Sequence, residues 1–370
     1  MLIYMSTSFD EHGFVEIEDY TSQLFQQIVF YSVWYEFIFS KLGAFLNIFQ
    51  IIILTRKAMR TSSTNVIMVG IAICDLVCML IIVRNGYIME KMLNGCTPPR
   101  TLFEMRLDWL LTAVHNALRR CSAWLGMMIA LVRYLVITDI TNKANKFSTP
   151  KYGLKAVLNC FLVSFFFTII FYLHVDIVES GTWTANERCE GERRTFPVYI
   201  QQYNAVFESN SSFLSRARLF MEGIFAKLIP CFSLPVLTFL LLNQLRKTVR
   251  VSTTTTVEIS MATKHLRKSR KERTTVITIF IAISFFLSEF PLGIVDLYKA
   301  MFRGSMNYEM FAQNVVLLCD SIFTINASTH CLVCFAMSFQ YRKTVFGLLH
   351  CVCFFKKKKP SGVTTVLSSY

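Results

Sequence analysis

The chain has 370 residues, of which 54% are apolar and 14% aromatic, and its mean hydropathy is +0.45. Only 17% are charged, against about a quarter in soluble domains, which excludes a soluble core and points to an integral membrane protein. The formal net charge of +14 does not indicate nucleic acid as a partner, because the lysines and arginines cluster beside apolar runs, as membrane topology requires.

Residues 1–29 include Asp10, Glu11, Glu16, Glu18 and Asp19. They lack the basic start of a cleavable signal peptide, so the first span is expected to do the targeting. Seven apolar segments long enough to cross a bilayer follow, near 30–54, 65–89, 107–138, 152–178, 221–245, 275–300 and 311–338. The pattern predicts an all-α membrane protein: a seven-transmembrane helix bundle over 30–338, then a short amphipathic eighth helix and a tail over 339–370. Basic residues follow the odd-numbered spans: Arg56, Lys57 and Arg60; Lys143, Lys146, Lys151 and Lys155; the stretch from Arg246 to Arg273; and Arg342, Lys343 and Lys356–Lys359. The positive-inside rule then puts the N-terminus outside and the C-terminus in the cytoplasm of a multi-pass plasma-membrane protein.

The third span is the predicted central post. At about 100° per residue, His115, Arg119, Ser122, Gly126, Ile129 and Arg133 share one helical face. Arg119 and Arg133 then stand roughly 21 Å apart, a charged stripe that a bilayer tolerates only when it faces a bundle interior or a wet cavity. Arg120, about 100° round from Arg119, is expected against a neighbouring helix.

Two features fit the orientation. Asn210-Ser211-Ser212 is a glycosylation sequon in the long link after the fourth span. Of the twelve cysteines, Cys96 and Cys189 lie in links on the outer side, where an oxidising compartment favours a disulfide between them. Cys74, Cys78, Cys121, Cys160, Cys231, Cys319, Cys331 and Cys334 read as small packing residues in spans, and the CxxC spacing of the last two has no partner pair for a metal. Cys351 and Cys353, beside Lys356–Lys359, suit palmitoylation and anionic lipid, or the lysines serve topology alone.

Gly43 and Asn47, Ile71-Ala72-Ile73-Cys74-Asp75, Leu131-Val132-Arg133-Tyr134, Pro230, Pro291 and Asn326-Ala327-Ser328-Thr329-His330 stand in the order of the span motifs of rhodopsin-like G-protein-coupled receptors. With RTSSTN at 60–65, SEFPLG at 288–293 and INASTHCLVCFAMSFQYR at 325–342, the chain resembles the nematode serpentine receptor class w, itself similar to FMRFamide-type peptide receptors. Departures are Val132 in place of an acid, Glu289 in place of a tryptophan, Ala327 and His330 in place of proline and tyrosine, and no tryptophan in the fourth span.

The resemblance implies a peptide ligand, a heterotrimeric G protein contacted by Arg133 and Tyr134, and a sodium ion among Asp75, Asn47 and Asn326. A purely structural polar cluster is the alternative for those three, and no cofactor is expected. The candidate ligand-binding residues are His115 and Arg119 on the third span, Glu289 and Asp296 on the sixth, Asp320 on the seventh, Arg84 on the second and Glu36 on the first. Arg119–Glu289 is the first pair to expect, either as a ligand-controlled switch or as a permanent bridge. Asp296 and Asp320 suit an arginine of a short peptide, with Trp109, Phe290, Tyr298 and Phe311 as aromatic neighbours. The Thr- and Ser-rich stretch 251–264 and Ser361, Thr364, Thr365, Ser368 and Ser369 are candidate phosphorylation sites for arrestin binding, or plain solvated tail. A chemosensory receptor for a small molecule is the nearest rival. A secondary transporter is less supported, since neither inverted repeats nor paired broken spans are visible. No catalytic constellation suggests an enzyme.

Overall fold

The computed structural model describes residues 17–92, 96–138, 144–184, 195–255, 282–302 and 306–357. The side chains of 17–22, 137, 144–145, 210–211, 245–255, 306–310, 337 and 349–357 fall outside that description. Helices α1 (Ile17–Leu54), α2 (Ser63–Met92), α3 (Leu102–Thr138), α4 (Ala144–Ser148) and α5 (Pro150–Leu173) lead into a hairpin of β1 (Val175–Thr184) and β2 (Thr195–Tyr203). Then come α6 (Ala205–Met221), a π-helical turn (Glu222–Leu228), α7 (Ile229–Thr255), α8 (282–301), α9 (Met306–Met337) and α10 (Phe339–Lys357).

Among the described residues, five helical stretches are long and apolar enough to cross a membrane: Gln23–Leu54, Ser63–Met92, Pro150–Leu173, Ser212–Gln244 and Phe311–Ala336. The other two predicted spans are present as helices with charge in their interiors: Arg119, Arg120 and Arg133 in α3, Glu289 and Asp296 in α8. These charges are accommodated because both helices turn them inward. α3 packs against α2, α5 and α7, and α1 lies between α2 and α9, so α3 is the post the sequence predicts.

Local chemistry sets the boundaries. Thr101 and Glu104 form a capping box at the start of α3: Thr101 N donates to Glu104 Oε2 at 2.9 Å and Glu104 N to Thr101 Oγ1 at 3.3 Å. These hydrogen bonds hold the Glu104 carboxyl below its usual range. Pro150 sits in the first turn of α5, where its missing N–H is no loss. The fourth span ends at Leu173, not near 178 as its hydropathy suggests. Val175 to Glu179 pair instead with Tyr199 to Tyr203, the register shifting between Glu179 and Gly181, and Asn204 N closes on His174 O at 3.0 Å. Short β-branched and aromatic alternation decides the matter there, and hydropathy averaged over a window does not see it.

The lead-in to the fifth span and the span itself each depart once from regular α-helical geometry. Ser212 has φ 60, the left-handed region, at the sequon. The π turn then precedes Pro230, and the N–H of Ile229 reaches back to Ile224 O, so the ring of the proline meets a widened turn instead of a clash. The π turn and α8 pack through small residues at this level. A Cβ on Gly293 would lie 2.7 Å from Leu228 Cδ2, and one on Gly223 would lie 3.1 Å from Gly293 O.

Candidate functional site

Arg119 is the meeting point of three helices. It is 8% exposed. Its Nε donates to Glu289 Oε1 of α8 at 2.9 Å, Nη2 lies 2.9 Å from the same oxygen, and Nη1 pairs with Asp320 of α9. The guanidinium carbon sits 4.5 Å from the centre of the Phe323 ring. A planar guanidinium presents five donors in a fixed fork, so one arginine joins two carboxylates on separate helices while stacking on a ring. The Arg119–Glu289 pair expected from the sequence is therefore present, with Asp320 as a second partner.

The two acids differ in access. The Glu289 side chain is 3% exposed and that of Asp320 23%. Glu36 of α1 is buried and accepts Thr324 Oγ1 at 3.2 Å, one turn along α9 from Asp320. His115 lies one turn from Arg119 on α3, and its Nε2 is buried with no hydrogen-bond partner among the described residues. Arg119, Glu289, Asp320, Glu36 and His115 thus form one polar group at the hairpin half of the bundle.

The other two candidates are committed elsewhere. Asp296 faces Lys227 of the π turn at 2.7 Å. Arg84 pairs with Asp108 at 2.6 Å, and Asp108 also takes Arg100. Arg120 turns toward α5 and the π turn, as its angle on the helix predicts. It pairs with Glu222, donates to Thr168 Oγ1 at 2.9 Å, and Glu222 also meets Arg218 at 3.2 Å. Sequence reasoning missed Lys227, Glu222, Arg218 and Asp108. Their signal was a charge inside or beside an apolar run, each needing an opposite charge across the bundle.

The polar centre nearer α10 departs from the expectation. Asp75 is fully buried, yet it bonds neither Asn47 nor Asn326. Ser122 Oγ donates to Asp75 Oδ1 at 2.8 Å, and His330 Nδ1 lies 2.8 Å from Oδ2. Asn47 Nδ2 donates back to Gly43 O at 2.9 Å, and Asn326 Oδ1 accepts from Ser284 Oγ at 2.8 Å. The imidazole that replaces the family's tyrosine reaches the carboxylate that the two amides were expected to share.

Arg133 and Tyr134 lie near the α10 end of α3. Arg133 has no ion-pair partner among the described residues, and the Cys334 thiol is close enough to interact with it electrostatically. Val132 is 1% exposed and packs with Ile67, Ile71, Leu125 and Ala156, which explains the missing acid: a carboxylate there would sit in an apolar core. α10 is held by Tyr341, whose hydroxyl lies 3.4 Å from Cys331 Sγ, and by Gln340 Nε2, which donates to Ala58 O at 2.6 Å.

At the opposite end, His174 closes α5 within a cluster of Trp109, Phe171, Tyr203 and Phe207. Burial, with Arg218 nearby, pushes its pKa down to about 4. Trp109 Nε1 donates to Tyr172 O at 3.0 Å, fixing α3 against the end of α5. A cavity of about 200 Å³ lies between Trp109, His174, Val175, Gln201 and Tyr203. Cys96 is disulfide-bonded. Cys189 falls outside the described residues, as do the side chains of Asn210, Cys351 and Cys353.

Comparison with known proteins agrees with this architecture. The family described as serpentine type 7TM GPCR chemoreceptor Srw matches residues 34–352. The Caenorhabditis elegans G-protein coupled receptor dmsr-1 is 27% identical over 212 residues, an alignment covering 56% of this chain and 41% of that receptor. The chain thus spans less than half the length of the curated relative it matches. A family match running from the first span into α10, on a bundle whose third helix pairs Arg119 and Arg120 with acids on other elements, places the chain in the serpentine type 7TM GPCR chemoreceptor Srw family.

Proposed function

We propose that the protein is a cell-surface receptor for a short peptide carrying a basic group, signalling to a heterotrimeric G protein. The observation that supports this most is the Arg119–Glu289–Asp320 node, which ties α3, α8 and α9 together through one guanidinium. Asp320 is the more accessible acid of the node, so a ligand cation competes with Arg119 for it. A ligand shifts a helix arrangement only by binding its two states differently, and exchange of one buried ion pair for another supplies that difference. Glu36 and His115 flank the exchange. Asp296 and Arg84, held by Lys227 and Asp108, serve the rim.

In this reading Arg133 and Tyr134 meet the G protein when the helices separate at the α10 end. A guanidinium with no ion-pair partner among the described residues can take a new acceptor there. The N-terminus is outside, the hairpin is tied to α3 by Cys96–Cys189, Asn210 carries a glycan, and Cys351 and Cys353 are palmitoylated at the cytoplasmic leaflet. Phosphorylation of the Thr- and Ser-rich stretches recruits arrestin. The basic residues that follow the odd-numbered spans support this orientation.

A second reading, a receptor for a small molecule, is favoured by the family's description as chemoreceptors. The separating experiment is a screen of amidated short peptides on cells displaying the protein with a promiscuous G protein, read by calcium, with Arg133→Ala alongside. A saturable response lost in Arg133→Ala is expected. Silence from cells shown to display the protein on their surface would overturn the peptide reading in favour of a small molecule.

A further inference from the structure

The resemblance implies sodium at Asp75, and the residues present do not fit it. A hard cation is held by a shell of oxygen ligands. Here both Asp75 oxygens are engaged, Oδ1 by the Ser122 hydroxyl and Oδ2 by His330 Nδ1, each at 2.8 Å. The amide oxygen of Asn326 is taken by Ser284. Of the oxygens on Asp75, Asn47 and Asn326, Asn47 Oδ1 has no hydrogen-bond partner among the described residues, and one orphaned carbonyl is not a coordination shell. A ring nitrogen from α9 thus takes up one of the two carboxylate oxygens.

We infer that His330 takes the place of the cation at Asp75, joining α2 to α9 while Ser122 joins α2 to α3, and that this receptor's stability does not depend on sodium. The chemistry follows from the buried carboxylate, which needs a positive or hydrogen-donating partner inside a bilayer. In a bundle that binds an ion there, dissolved sodium favours whichever state holds it. Where the protein supplies the partner itself, sodium has no state to favour. The assignment rests on Asp75, Ser122 and His330 alone and stands apart from the ligand reading above.

The test uses the purified full-length protein. Thermal unfolding is followed in sodium chloride and in choline chloride at a matched ionic strength of about 0.15 M. The wild type is expected to melt at the same temperature in both salts. His330→Ala removes the imidazole, and His330→Tyr installs the tyrosine of the rhodopsin-like pattern. Each variant is expected to melt about 2–4 °C higher in sodium than in choline. If one variant fails to fold, the other carries this comparison. Stabilisation of the wild type by sodium overturns the inference. A wild type and variants all indifferent to sodium would overturn the assignment to His330.

Discussion

Glu289→Gln and Asp320→Asn each remove one negative charge from the same guanidinium at nearly constant shape, and the structure ranks them. Glu289 is 3% exposed and takes two nitrogens of Arg119, whereas Asp320 is 23% exposed and takes one. Breaking a buried pair costs about 3–5 kcal/mol because an uncompensated charge is left behind. A partly solvated pair sits nearer the roughly 0–1 kcal/mol of exposed pairs. After Glu289→Gln, Arg119 keeps one acid, so about 3 kcal/mol is the expected loss, at the low end of the buried range. After Asp320→Asn it is about 1 kcal/mol. With an unfolding entropy of about 2.1 cal/mol/K per residue, roughly 0.8 kcal/mol/K for a protein of this size, the melting temperature falls by about 1.3 °C per kcal/mol, roughly 4 °C and 1 °C respectively. Arg119→Met, which leaves both acids and the nearby Glu36 without a cation, falls furthest. The assay is thermal unfolding of the purified receptor, with surface display of the same variants in cells. An Asp320→Asn loss equal to or larger than that of Glu289→Gln would refute ranking by burial. An Arg119→Met protein as stable as the wild type would refute the node altogether.

Three further outcomes are expected. Lys227→Met destabilises through the unpaired Asp296, and adding Asp296→Leu recovers much of the loss, because a buried pair replaced as a unit costs far less than a broken one. Purely additive melting temperatures would contradict this pairing. Gly293→Ala forces a methyl against Leu228 at the contact of the π turn with α8, an overpacking cost of about 1–3 kcal/mol. An unchanged melting temperature would contradict the close approach. His174, with its pKa pushed down to about 4, binds a proton less readily in the folded state than in the unfolded one, whose value is about 6.5. Its contribution is then present above about pH 6.5 and is lost as pH falls toward 4. The wild type should lose more stability than His174→Gln across that window, and parallel pH profiles would remove His174 as the cause.

Much of the fold was legible because bilayer thickness sets span length and charge asymmetry sets direction. Arg119–Glu289 was legible for a related reason: a buried arginine must find an acid, and Glu289 stands beside Pro291 in an apolar run. Partner choice beyond that pair was not. Lys227 reaches Asp296 from the π turn, and helical spacing on an ideal helix does not locate such a turn. Asp75 was expected between two amides but meets His330, because rotation of α9 about its axis, and not residue type, decides which side chain arrives. The hairpin escaped notice because strands of ten and nine residues pair only with each other, and their alternation begins inside an apolar tail continuous with the fourth span.

The most direct measurement is guanine-nucleotide exchange on a purified heterotrimeric G protein by the receptor reconstituted in lipid vesicles, with the most potent peptide from the screen. The account predicts that peptide accelerates exchange with the wild type and fails to do so with Arg133→Ala, which still binds it. A wild-type receptor that binds peptide without accelerating exchange on any heterotrimer tested, or vesicles that carry solute down a gradient, would contradict it.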